Sequence, residues 1–111
     1  MISLVERKLL TDILIALVSI DEHLEFRRLV LEYKSNKTKR RAVEREVEIA
    51  GKALSQLLKI EPKMKVSYVK EILDLHKKLT QTPDHVDDMA VWDLVVNHLP
   101  TLKKEVESLL S

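Results

Sequence analysis

His23, His76, His85 and His98 are the side chains in this sequence best suited to moving protons, because imidazole changes charge near neutral pH. No two of them stand four residues apart and no H-E-x-x-H occurs. The two-histidine helical zinc site that such spacing builds is therefore missing. His85 lies among Asp84, Asp87 and Asp88. That acidic group falls at the expected start of a helix, where acids complement the macrodipole, so capping explains it better than a metal ion does. The chain has no cysteine, which removes thiol catalysis, thiolate ligation and disulfides. A single glycine cannot make a glycine-rich phosphate loop, and no serine sits in a nucleophile elbow. Acid pairs such as Glu44/Glu48 alternate with basic residues, as on a solvated helix face. No metal and no cofactor is implied.

One charge feature stands out. Lys34, Lys37, Lys39, Arg40, Arg41 and Arg45 lie close together with Glu44 the only acid among them. Such a patch suits RNA phosphates or an acidic partner, through contacts that weaken with salt. The alternative is a solvated loop and helix start, although cations at a helix N-terminus oppose the dipole. Tyr33 is the only aromatic residue beside the patch, so base stacking has little support. The net charge of +1 adds no global attraction to nucleic acid or to an anionic membrane.

The elements that must carry these residues are helical. Glycine and proline are scarce, and Leu, Val, Glu and Lys are abundant, which is helix-forming chemistry. Leu10, Ile13, Leu17, Ile20 and Leu24 draw one apolar stripe and predict a helix over about residues 3–24. A short helical piece follows around Phe26–Tyr33. Asn36 or Thr38 then caps a helix over about 38–59, striped by Val43, Val47, Ala50, Leu54 and Leu57. Gly51 inside it costs roughly 1 kcal/mol against Ala, and a close helix–helix approach is the reading for it. Pro62 ends that helix.

A third helix over about 65–80 carries Tyr68, Ile72, Leu75 and Leu79, and Gln81-Thr82-Pro83-Asp84 breaks it. The last runs from Val86 to Leu110, with Pro100 kinking or restarting it. The expectation is an all-α antiparallel bundle of four or five helices, with residues 1–111 as one domain. Extra apolar positions, Leu14, Ile15, Ile49, Ala53 and Leu58, widen two buried faces and suit a dimer interface. Charges interrupt the N-terminal apolar pattern as they would not in a signal peptide or membrane span, so the expected location is cytoplasmic, with no membrane partner.

Two stretches resemble the HepT-like family of the HEPN superfamily. Residues 41–54, RAVEREVEIAGKAL, are similar to the family's "AV.R.LEIIGEAA" helix, matching at Ala42, Val43, Arg45, Glu48, Ile49, Gly51 and Ala53, with Lys52 in place of the usual Glu. Val86-Asp87, Val91-Trp92-Asp93 and Leu99-Pro100-Thr101-Leu102-Lys103 resemble its "VD...VW.II...LP.LK" ending. The resemblance implies a HEPN-like bundle and a metal-independent ribonuclease of toxin–antitoxin type. Its R-x(4-6)-H-x-Y motif would meet its copy at a dimer cleft, and a minimal nucleotidyltransferase partner would attach AMP to the motif Tyr.

Counting back from Trp92, the motif places fall on His76, Gln81 and Pro83. No His here has a Tyr two residues later, and no Arg follows Arg45. Gln81 cannot cycle a proton and Pro83 has no hydroxyl, so the motif reads as degenerate. Three functions compete on these grounds. The first is a non-catalytic homodimer that binds a nucleotidyltransferase. The second is a divergent ribonuclease using His76 with Lys77, Lys78 or the basic cluster. The third is an RNA-binding module without turnover.

Overall fold

The computed structural model describes residues 2–111, and no strand occurs among them. Helix α1 (Leu4–His23) opens on a capping box. Ser3 Oγ accepts from the Glu6 N–H at 3.1 Å, and Glu6 Oε1 accepts from the Ser3 N–H at 3.3 Å. Two otherwise unsatisfied donors are thereby paired. Helix α3 (Lys37–Ile60) is capped by Asn36, whose side-chain oxygen accepts from Lys39 N–H at 3.0 Å. Between them lies α2 (Val30–Ser35), later than the short piece expected at Phe26–Tyr33. The turn after α1 is what delays it. Glu25 and Phe26 both take left-handed backbone, φ 55° and 59°, a conformation usually left to glycine, so no sequence signal marks the break.

Helix α4 (Val69–Gln81) also starts later than residue 65. Ser67 is tied to Glu105 instead, its N–H and hydroxyl donating to the carboxylate at 2.8 and 2.6 Å. Tyr68, at φ 62°, then turns the chain into the helix. A 3₁₀ turn at Pro83–His85 leads to α5 (Asp88–Asp93), capped by Asp87, which accepts from Met89 N–H at 2.9 Å. Helix α5 continues through a π turn, Leu94–His98, into α6 (Leu99–Leu110), forming one rod. Pro100 stands in the first turn of α6, as expected of a proline that starts a new helix. It has no N–H to donate to the Val96 carbonyl, and in the wide turn before it Leu99 N–H bonds to Leu94 O.

The result is a bundle of four long helical bodies and the short α2, as the stripes require. Helix α1 packs on α3 and α6, and α4 packs on α3. Leu10, Ile13, Val43, Leu54, Leu57, Val91, Leu102 and Val106 are fully enclosed in one core. Each such side chain contributes about 1.5–3 kcal/mol on burial.

Candidate functional site

The residues at the motif places lie on the far half of α4 and the turn beyond it. His76 is half-buried and wedged against Gly51 of α3. A Cβ on Gly51 would stand 2.5 Å from His76 Cβ and 2.6 Å from its Cγ, so only a glycine admits the histidine there. His76 Nδ1 is buried and makes no hydrogen bond among the described residues. The interior glycine is thus explained by a close approach of α3 to α4, as its cost demanded. Gln81 is the exposed last residue of α4, and Pro83 is exposed at the first position of the 3₁₀ turn. Lys77 and Lys78, one turn before, are exposed on α4.

The basic cluster is divided by the fold. Lys39 is buried, and its Nζ meets Glu32 at 2.6 Å. Arg40 Nε stands 3.3 Å from Asp88 of α5, and its guanidinium also donates to the Lys34 carbonyl. Arg41 meets the buried Glu44 at 2.8 Å. Lys34, Lys37 and Arg45 are exposed and form no ion pair among the described residues. Half of the charge read from the sequence is therefore paired, Lys39 and Arg40 where the helices meet and Arg41 within α3.

These ion pairs surround Tyr33. Its ring packs on Trp92 with centroids 5.0 Å apart and planes tilted by 35°. Its hydroxyl is buried with no hydrogen-bond partner among the described residues. Burial, and then the carboxylates of Glu44 and Asp88, push its ionisation well above the ordinary phenol value. The hydrogen bond from Lys39 holds Glu32 below the usual carboxylate range, with Arg27 adding to it at 2.9 Å. The hydrogen bond to Glu44 holds Arg41 more firmly protonated. Glu32, Asp88 and Tyr33 are the members of this assembly that linear spacing missed. The one available signal was the excess of cations at a helix start, which asks for acids from elsewhere.

A third feature is a groove of about 490 Å³ between α1 and α3, bordered by Asp12, Ile15, Glu46, Ile49, Lys52 and Gln56. Ile15 is 59% exposed and Ile49 39%, so part of the apolar surplus stays uncovered. Ala53, by contrast, is buried in the core, and Leu14 and Leu58 pack against it. The described residues hold no group of three or more His, Asp or Glu placed to ligate a metal ion, and no helix is long and apolar enough to cross a membrane.

No curated protein and no solved structure matches the chain in these comparisons. One family model does match, described as "Ribonuclease HepT-like", and it spans residues 13–109. That range takes in both stretches quoted above, the second half of α1, all of α2 to α5, and α6 up to Leu109. The chain belongs to the ribonuclease HepT-like family, which is of HEPN type.

Proposed function

We propose that this chain is a HepT-like toxin–antitoxin-type protein whose ribonuclease centre is degenerate. It acts as a cytoplasmic homodimer that binds a minimal nucleotidyltransferase. The observation that carries the reading is the set of groups at the motif places. Gln81 and Pro83 offer no proton to exchange and no hydroxyl to modify. His76 is committed to packing against Gly51, with one ring nitrogen sealed from solvent. The uncovered isoleucines of the α1–α3 groove support the dimer.

The test pairs two measurements on purified protein. Incubation with RNA is expected to give no cleavage, for wild type and for His76→Ala alike. Cleavage lost in His76→Ala would replace the reading with a divergent ribonuclease. Mixing with a nucleotidyltransferase encoded beside the gene is expected to give a complex at micromolar concentrations, and its absence would remove the partner from the proposal.

A second reading rests on Lys34, Lys37 and Arg45, the cations the fold leaves unpaired among the described residues. They suit RNA phosphates or an acidic partner, in a module without turnover. Binding should then weaken steeply with salt and fall when these three are neutralised. Neutralising Lys39, Arg40 and Arg41 would instead damage the fold.

A further inference from the structure

A cleft of about 210 Å³ opens between the second half of α1 and the rod formed by α5, the π turn and α6. Leu17 and Ile20 of α1 line it together with Val95 and Leu99 of the rod, and these four side chains are almost wholly enclosed. Its depth is therefore apolar. Val95 belongs to the π turn Leu94–His98, and such wide turns recur at functional sites. Leu99, Pro100 and Lys103 also border the cleft. They come from the Leu99–Lys103 stretch, to which the proposed function gives no role.

The mouth is charged, and unevenly. One oxygen of Asp21 lies 3.1 Å from Arg28 and the other 3.5 Å from Lys103, so two cations share a single carboxylate. The Arg28 and Lys103 side chains are 41% and 33% exposed, which sets them at the opening above the dry floor. Lys104 is exposed on the same border and forms no ion pair among the described residues. Glu107 is the second acid there. Three cations thus meet two carboxylates, and the border carries an excess of one positive charge. Arg28 donates to Asp21 through Nη2, which leaves most of its planar fork of N–H groups open to another acceptor.

The volume limits the occupant. An aliphatic cavity of roughly 150 Å³ admits one benzene ring, so this cleft takes a ring or a chain of about six carbons. A purely apolar molecule leaves the cations at the mouth unused, and a cationic head meets their repulsion.

We propose that this cleft binds a small monocarboxylic acid. Its apolar body lies among Leu17, Ile20, Val95 and Leu99, and its carboxylate meets Arg28, Lys103 and Lys104. The guanidinium fork offers a carboxylate parallel N–H groups, and each ammonium adds a point charge. The site shares no lining residue with the α1–α3 groove, so it stands apart from the homodimer reading.

The test titrates isotope-labelled protein with hexanoate, hexanol and hexylamine at one pH and ionic strength and follows the amide shifts by NMR. Hexanoate is expected to move the amides of Leu17, Ile20, Val95 and Leu99. It should bind about threefold or more tighter than the alcohol or the amine. Acetate, which has the head without the body, should move none of them. Lys104→Glu alters an exposed side chain, and its spectrum reports whether the fold is intact. This variant should bind hexanoate about threefold or more weakly than wild type, and hexylamine more tightly. Equal affinity for hexanoate and hexanol would overturn the proposal, and so would shifts confined to other faces or no shifts at millimolar ligand. A Lys104→Glu variant that binds hexanoate as wild type does would overturn the place given to the carboxylate.

Discussion

Two polar atoms are buried without a partner among the described residues, the Tyr33 hydroxyl and His76 Nδ1, and their surroundings are opposite. Tyr33 sits among ionised groups, Arg40, Arg41, Glu44 and Asp88, which bond to one another and pass it by. His76 sits over a gap in the neighbouring helix, where Gly51 has no side chain. In the first region charge is plentiful and self-satisfied, and the ring is there to fill space against Trp92. In the second, a backbone concession admits the imidazole and seals one nitrogen. A crowd of charges is thus no sign of a reactive group, and a lone buried nitrogen can follow from packing alone.

The comparison can be broken most strongly at the ring of Tyr33. Tyr33→Ala empties a site that is 1% exposed and removes the Trp92 contact. It should cost about 3–5 kcal/mol in a chemical denaturation series, as large aromatic deletions do. A loss under about 1 kcal/mol would mean that the charge network holds α2 and α5 without the ring.

Gly51→Ala should cost about 1–3 kcal/mol through overpacking, more than the roughly 1 kcal/mol it gains in helix propensity. His76→Ala should not rescue it, because the His76 Cβ is itself the nearest atom, at 2.5 Å. His76→Gly in the same chain should recover part of the loss. Rescue by alanine would show that the ring, and not the helix spacing, sets the contact.

Tyr33→Phe isolates the hydroxyl, and should leave stability at neutral pH unchanged or raise it by up to about 1 kcal/mol. Its clearer effect is alkaline. The folded phenol ionises above its ordinary value of 10.0. The stability it contributes is complete below that pH and is lost as pH rises through the folded value. Thermal melts of the Phe variant should therefore lose less stability than wild type above pH 10.0.

The smallest effect lies at the acid end. Glu32 is depressed below 4.5 by Lys39 first. Its contribution is present above 4.5 and disappears as pH falls through the folded value. The stability gap between wild type and Glu32→Gln should close over that fall. A gap that persists in acid would assign Glu32 a packing role.

Much of the fold is legible in the residues. Apolar steps of three and four placed the long helices, Asn36 announced its cap, and Gly51 announced a close approach. What escaped were departures that no residue type marks. Glu25, Phe26 and Tyr68 adopt left-handed backbone without being glycine, and they moved the starts of α2 and α4. The candidate site was legible only as an inventory. A sequence shows six cations near one helix start, but only packing shows that Asp88, more than forty residues away, takes up Arg40. Nothing in the residues beside His76 marks the burial of its Nδ1, which depends on Gly51 facing it from α3.

The π turn has a bearing on how the last helix meets the core. From Val91 to Val106 is fifteen residues (106 − 91), and both side chains are fully buried. Four α-helical turns consume about 14.4 residues, so one wide turn absorbs the excess and keeps α6 in phase with α5. Tightening it to α geometry would swing α6 through an arc of about one residue, 100°. Leu102 and Val106 would turn partly away from the core, to regain a hydrogen bond worth about 1 kcal/mol. Pro100→Ala should accordingly leave the wide turn in place. The core holds the helix out of its own preferred pitch, and the proline removes the bond that would have resisted.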